Sequence, residues 1–196
     1  MSLPQAHAGE NSQSKQQTIL IMGDSISAGF GIAKDSSWAA LMELKLKDVN
    51  SHNRMINASI SGETTSGGAH RISKLLKQHQ PNIVIIELGG NDGLRGSPIK
   101  VITQNLSRMI VQSQQAGAEV VLLGMRIPPN YGQRYSELFA GQYQSLASEH
   151  RITHLPFLLQ GIAAVPGMMQ ADGIHPTLNA QPIMMQNIWQ LIEPML

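Results

Sequence analysis

Short β-rich apolar runs alternate along the chain with longer stretches whose apolar positions recur at helical spacing. Thr18 to Met22 (TILIM) reads as a buried strand. Asp35 is placed to cap a helix carrying Trp38, Leu41, Met42, Lys45 and Val49 at helical spacing. Arg54 to Ser59 is a weaker second strand, and Ile72, Leu75, Leu76 and His79 mark a helix that stops before Pro81. Asn82 to Leu88 (NIVIIEL) is the clearest strand. Ser97-Pro98 reads as N-cap and first helical position of a helix bearing Ile99, Ile102, Leu106, Met109 and Ile110, which Gly117 ends. Val120 to Leu123, a helix over Tyr135 to Glu149, a short strand Ile152 to Leu155 and a last helix Ala180 to Ile192 complete the pattern. Strand and helix in regular alternation predict a parallel sheet covered by helices on both faces. Near-continuous apolar strands fit burial on both sides. The one long irregular stretch runs from Leu155 to Asn179.

Composition narrows the classes. With 196 residues, 42% hydrophobic and 14% charged, the chain has material for one domain with a proper core. We expect that domain over 17–196, behind a flexible polar tail over 1–16. A net charge of +1 gives no electrostatic case for nucleic acid or an anionic membrane, and no run of eighteen apolar residues is present to span a bilayer. The absence of cysteine excludes thiolate catalysis and cysteine-based zinc sites. Ala6-His7-Ala8 has the small-x-small form of a signal-peptidase site, without the apolar region that should precede it. The stretch reads as a signal-peptide remnant, and hence a periplasmic or secreted protein, with an ordinary polar tail as the alternative.

Ligands of open α/β sheets bind beyond the carboxyl ends of the strands. There the sequence collects Gly23-Asp24-Ser25, Ser61-Gly62-Glu63, Gly89-Gly90-Asn91-Asp92-Gly93, Gly124-Met125-Arg126 and, after the long irregular stretch, Asp172-Gly173-Ile174-His175-Pro176. A serine hydroxyl becomes a nucleophile when a base takes its proton. Of seven histidines, His175 stands apart, because a tight turn brings Asp172, three residues earlier, close enough to hold the imidazole. The Asn91 amide and the Gly62 N–H can donate to a developing oxyanion. Each group alone is ordinary turn chemistry; together on one sheet edge they suggest a hydrolase.

Four blocks, "GDSIS" at 23–27, "NASISGET" at 57–64, "LGGNDGLRG" at 88–96 and "DGIHP" at 172–176, resemble the GDSL, or SGNH, hydrolases over about Thr18 to Ile192. "LLKQHQP", "PPNYGQRY" and "DGIHPTLNAQP" narrow the resemblance to the periplasmic multifunctional thioesterase I/protease I/lysophospholipase subgroup and its arylesterase relatives. The resemblance implies a three-layer α/β/α flavodoxin-like sandwich with a five-stranded parallel sheet. It implies Ser25 as nucleophile, His175 as base and Asp172 as its orienter. The oxyanion hole would comprise the Ser25 and Gly62 N–H groups and the Asn91 side chain. Ile26 stands where the family's first block usually has leucine, and keeps an apolar side chain.

The expected reaction is hydrolysis of carboxylic esters or thioesters through an acyl-enzyme, with no metal or cofactor needed. Asp24, Ile127, Pro128 and Ile174 are expected on the substrate side, and Ser27, Ala28 and Gly29 are expected to let the carbonyl approach the backbone. Met22, Met125, Met168, Met169, Met184 and Met185 divide between acyl groove and core, and the roles of Arg95 and Arg126 stay open. The expected partner is a small acyl ester or thioester bound by a monomer. Two rival readings are a carbohydrate O-deacetylase, which a short polar acyl pocket would favour, and a non-catalytic flavodoxin-like module binding phosphate or flavin. The second leaves Asp172 and His175 without a role.

Overall fold

A computed structural model describes residues 16–196. The Ala6-His7-Ala8 reading lies outside them. Five strands form one parallel sheet: β1 Thr18–Gly23, β2 Arg54–Asn57, β3 Ile83–Glu87, β4 Glu119–Leu123 and β5 Thr153–Leu155. Their order is β2-β1-β3-β4-β5. The central β1 and β3 are buried along almost their whole length, because helices cover both faces.

The helices are α1 Ser25–Ala28, α2 Trp38–Val49, α3 Thr65–His79, α4 Gly90–Leu94, α5 Ile99–Gln115, α6 Gln133–His150 and α7 Gln181–Ile192. α3, α5 and α6 pack side by side on one face, and α2 with α7 on the other. From β1 the chain goes outward to β2, then returns past β1 to β3 and continues to β5. The direction reverses between β1 and β3, so their carboxyl ends flank the natural cleft of such a sheet. Ser25 follows one and Asn91 the other.

Several boundaries differ from the sequence expectation. Ser37, not Asp35, caps α2: its hydroxyl accepts from Ala40 N at 3.2 Å, while Asp35 sits in a preceding 3₁₀ turn. A serine oxygen one residue before the helix reaches its free N–H groups, which Asp35 cannot. The buried stripe of α2 is Trp38, Ala39, Met42 and Leu46, leaving Val49 half exposed. Pro98, not Ser97, occupies the cap position of α5. α3 starts about two turns earlier than its apolar pattern suggests, at Thr65 rather than Ile72, capped by Thr64. α1 and α4 read as turns in the sequence, since each is too short to show a period.

Candidate active site

β1 ends on Gly23, and Asp24 then caps α1, its Oδ1 accepting from Ile26 N at 3.0 Å. This cap sets Ser25 as the first residue of the helix, with the N–H groups of the first turn lacking a carbonyl behind them. Ser25 is nearly buried, 9% exposed, at the floor of a cleft.

His175 reaches that serine from 150 residues away, with Nε2 2.8 Å from Ser25 Oγ. It sits on a small hairpin in which Gln170 N donates to His175 O at 2.7 Å and Thr177 N to Met168 O at 2.8 Å. Within the hairpin's turn, Asp172 Oδ1 accepts from the N–H groups of Ile174 (2.9 Å) and His175 (3.0 Å), and Oδ2 meets His175 Nδ1 at 2.7 Å. The imidazole, and then these two backbone donors, hold the Asp172 carboxyl down at about 2. An ionised carboxylate can only accept, so Nδ1 carries the ring proton and Nε2 faces the serine with a lone pair. The sequence spacing expected this contact, and the structure closes it.

Gly62 occupies the third position of a tight turn, with Glu63 N donating to Ile60 O at 3.0 Å. Its φ of +79° is the left-handed value such a turn needs. The turn is braced by Arg71, whose Nε donates to Glu63 Oε2 at 2.7 Å. Asn91 lies in the first turn of α4, and its Nδ2 donates to Asp24 Oδ2 (3.1 Å) and Glu63 O (3.0 Å). The amide thus bridges the Ser25 turn and the Gly62 turn, on the side where both open to the cleft. Asp92 latches α4 to the start of α3, accepting from Thr65 N and Thr65 Oγ1, both at 2.8 Å.

Ser25, Gly62, Asn91 and His175 share the wall of one cavity of about 580 Å³. Its far side is apolar, formed by Leu94, Met125, Ile127, Phe157, Leu159 and Ala163. Ile127, Pro128 and Ile174, the residues expected on the substrate side, line this cavity. Asp24 also touches the wall, but both of its oxygens are committed to Ile26 N and the Asn91 amide. Met125 and Met169 face the cavity, whereas Met22 and Met184 are core. Arg126, on the rim, lays its guanidinium 4.9 Å from the centre of the Phe157 ring. Arg95 lies 3.4 Å from Gly62 O, at the long limit of a hydrogen bond.

One expectation fails. Ser27, Ala28 and Gly29 do not line the cavity. Ser27 turns inward, its hydroxyl donating to Glu87 Oε2 at 2.7 Å, and Gly29 ends α1 at φ 74°. Three residues went unnoticed in the sequence. Phe30 stacks on the His175 ring with centroids 4.4 Å apart. Gln170 staples the two loops, its Nε2 donating to Phe30 O (2.9 Å) and Pro176 O (3.0 Å). Glu87 lies fully buried beneath the serine turn. Of these, only Glu87 left a signal, a lone charge inside an apolar strand.

The model of the GDSL-like lipase/acylhydrolase family matches residues 21–181. The chain belongs to this family. It is 47% identical over 184 residues to esterase TesA of Pseudomonas aeruginosa, covering 94% of this chain and 92% of that protein. It is 42% identical over 178 residues to thioesterase 1/protease 1/lysophospholipase L1 of Escherichia coli, covering 91% and 84%. A crystal structure of TesA superposes with a TM-score of 0.88 at 47% identity, over 92% of this chain and all of that one. As a GDSL-like family member at this distance from its relatives, the protein is an ester hydrolase of α/β fold.

Proposed function

We propose that Ser25, His175 and Asp172 are the catalytic triad and that the preferred substrates are esters or thioesters with an extended acyl chain. The observation that carries this is the Ser25–His175–Asp172 relay, 2.8 and 2.7 Å long, opening onto an apolar cavity. His175 Nε2 takes the Ser25 proton as Oγ attacks the carbonyl carbon. Asp172 steadies the imidazolium that results. The negative oxygen of the tetrahedral intermediate is received by the N–H groups of Ser25 and Gly62 and by the Asn91 amide, which keeps its bond to Asp24 and turns the hydrogen now on Glu63 O toward the oxyanion. His175 then hands its proton to the leaving alcohol or thiol, and water cleaves the acyl-enzyme by the same route.

The acyl chain lies along Met125, Ile127, Phe157 and Leu159, where it sheds apolar surface from water. A carbohydrate deacetylase needs only a short polar recess, so the size and lining of this cavity favour the longer acyl reading. Arg126 at the rim suits an anionic head group or leaving group. The family relatives named esterase, thioesterase and lysophospholipase fit such a site. We further propose one monomeric domain over 17–196 acting outside the cytoplasm. Among the described residues, no helix is long and apolar enough to cross a membrane.

The test is kcat/KM across p-nitrophenyl esters from acetate to palmitate, with Ser25→Ala as the blank. The proposal expects activity to rise beyond acetate, peak at medium or long chains, and vanish in the variant. Activity confined to acetate would favour the deacetylase.

A further inference from the structure

The register of the sheet pairs Gly23 with Glu87. Parallel neighbours project to the same face, and Gly23 has no side chain to fill that space. The Glu87 carboxyl folds into it: a Cβ on Gly23 would lie 2.9 Å from Glu87 Oε2 and 2.6 Å from Ser59 Oγ. From there Oε2 accepts from Ser27 Oγ at 2.7 Å and from Asp24 N at 3.2 Å, which sets the Glu87 carboxyl beside that of Asp24. Glu87 is 0% exposed and Asp24 2%. Among the described residues no lysine, arginine or histidine forms an ion pair with either. The groups facing the pair are Ser27 on α1, Asn91 and Asp92 on α4, the Tyr143 hydroxyl of α6, which donates to Leu88 O at 3.0 Å, Ser59 after β2, and His175 on the hairpin. None supplies a fixed positive charge against Glu87.

Two buried carboxyls in contact cannot both ionise without a cation. Asp24 has a donor on each oxygen, Ile26 N on Oδ1 and the Asn91 amide on Oδ2, whereas both donors to Glu87 fall on Oε2. Glu87 Oε1 has no donor at all among the described residues. An orphaned oxygen is costly on a buried carboxylate and far less so on a neutral acid. We propose that Glu87 is a positioning residue: a carboxylic acid that keeps its proton at neutral pH and donates it to the Asp24 carboxylate, which in turn aims the Asn91 amide. The pair then holds one negative charge beneath the oxyanion site. A second charge there would oppose the oxyanion that forms above it. Burial, and then the Asp24 charge, push Glu87 well above the ordinary glutamate range, in agreement. Burial also lifts Asp24, to about 6, while its backbone donor, Glu87, His175 and Asn91 pull it back down.

The consequence for rate rests on the proposed hydrolytic site, but the protonation does not, so it is tested without substrate. Infrared difference spectroscopy of the wild-type chain at neutral pH reads the C=O stretch of a buried protonated carboxyl. The proposal expects that band in the wild type and its loss in Glu87→Gln. The pH dependence of unfolding supplies a second readout. The folded state holds a proton that the unfolded chain releases, so wild-type stability falls as pH rises above the ordinary glutamate range. Glu87→Gln should abolish that slope. In turnover, the amide should keep kcat within about threefold, whereas Glu87→Ala, which frees Asp24 and misaims Asn91, should cost about tenfold to a hundredfold in kcat with little change in KM. Glu87→Gln should also extend activity to higher pH. No carboxyl band in the wild type, or a band that survives Glu87→Gln, overturns the assignment. So does a glutamine variant that loses as much kcat as the alanine one. Should Glu87→Ala fail to fold, the wild-type and glutamine spectra still decide.

Discussion

Replacing Asp172 with asparagine separates the electrostatics of the relay from its geometry. The carboxylate accepts three hydrogen bonds, from Ile174 N, His175 N and His175 Nδ1. In Asp172→Asn the side-chain oxygen keeps the two backbone donors, so the turn survives. The new NH₂ then faces Nδ1. Two donors cannot pair, so the ring proton moves to Nε2, 2.8 Å from Ser25 Oγ. The base is now a donor pointing at a donor. A tautomer error of this kind costs about ten-thousandfold in kcat in a buried triad. Asp172 is 38% exposed, so water can compete for the amide and soften the error. We therefore expect a loss between about a hundredfold and ten-thousandfold. The assay is kcat/KM on p-nitrophenyl butyrate, with thermal unfolding as the control for a changed turn. A second signature follows from linkage. The depressed wild-type carboxyl contributes stability above its unfolded value near 3.9 and loses it as pH falls through about 2. The asparagine variant lacks that acid-side loss. A variant within tenfold of wild type at unchanged stability would refute the assigned tautomer.

Three further expectations come from different parts of the site. Asn91→Ala removes a side-chain donor and should lower kcat about a hundredfold to a thousandfold with the fold intact; an unchanged kcat removes Asn91 from the oxyanion hole. Gly31→Ala meets a double obstacle, since Gly31 has φ +75° and an added Cβ would run into Gln170 Oε1. It should pull the Gln170 staple from Phe30 and lower kcat by about tenfold or more through His175, which a KM-only effect would contradict. Phe139→Ala empties a fully buried ring that packs on Gly93 of α4 and edge-on against Tyr143 at 5.7 Å. It should cost about 3–5 kcal/mol and lower Tm by roughly 10 °C, measured by calorimetry.

The parts legible in the sequence are those set by local chemistry or by strong periodicity. TILIM and NIVIIEL announce central strands because, after the opening Thr18 and Asn82, no polar residue but Glu87 breaks them, and Asp172-Gly173-Ile174-His175 announces its own turn. What stayed hidden depends on contacts between distant segments. Phe30 meets His175 only because Gln170 ties two loops 140 residues apart. Gly23 invites a reading as a flexible turn, yet its main duty is to leave room for Glu87 on the neighbouring strand. The small residues after Ser25 invite a substrate role, but α1 is so short that Ser27 faces inward. The choice between Asp35 and Ser37 as cap turned on two residues of helix boundary, which side-chain preference alone does not resolve.

The central claim is that Ser25 is the nucleophile, activated by His175. Stoichiometric reaction with a p-nitrophenyl phosphonate, followed by peptide mass spectrometry, tests it most directly. The account predicts one p-nitrophenolate released per chain, one phosphonyl group on the peptide bearing Ser25, and no labelling in Ser25→Ala. A label on any other residue, or undiminished labelling and hydrolysis in Ser25→Ala, would contradict it.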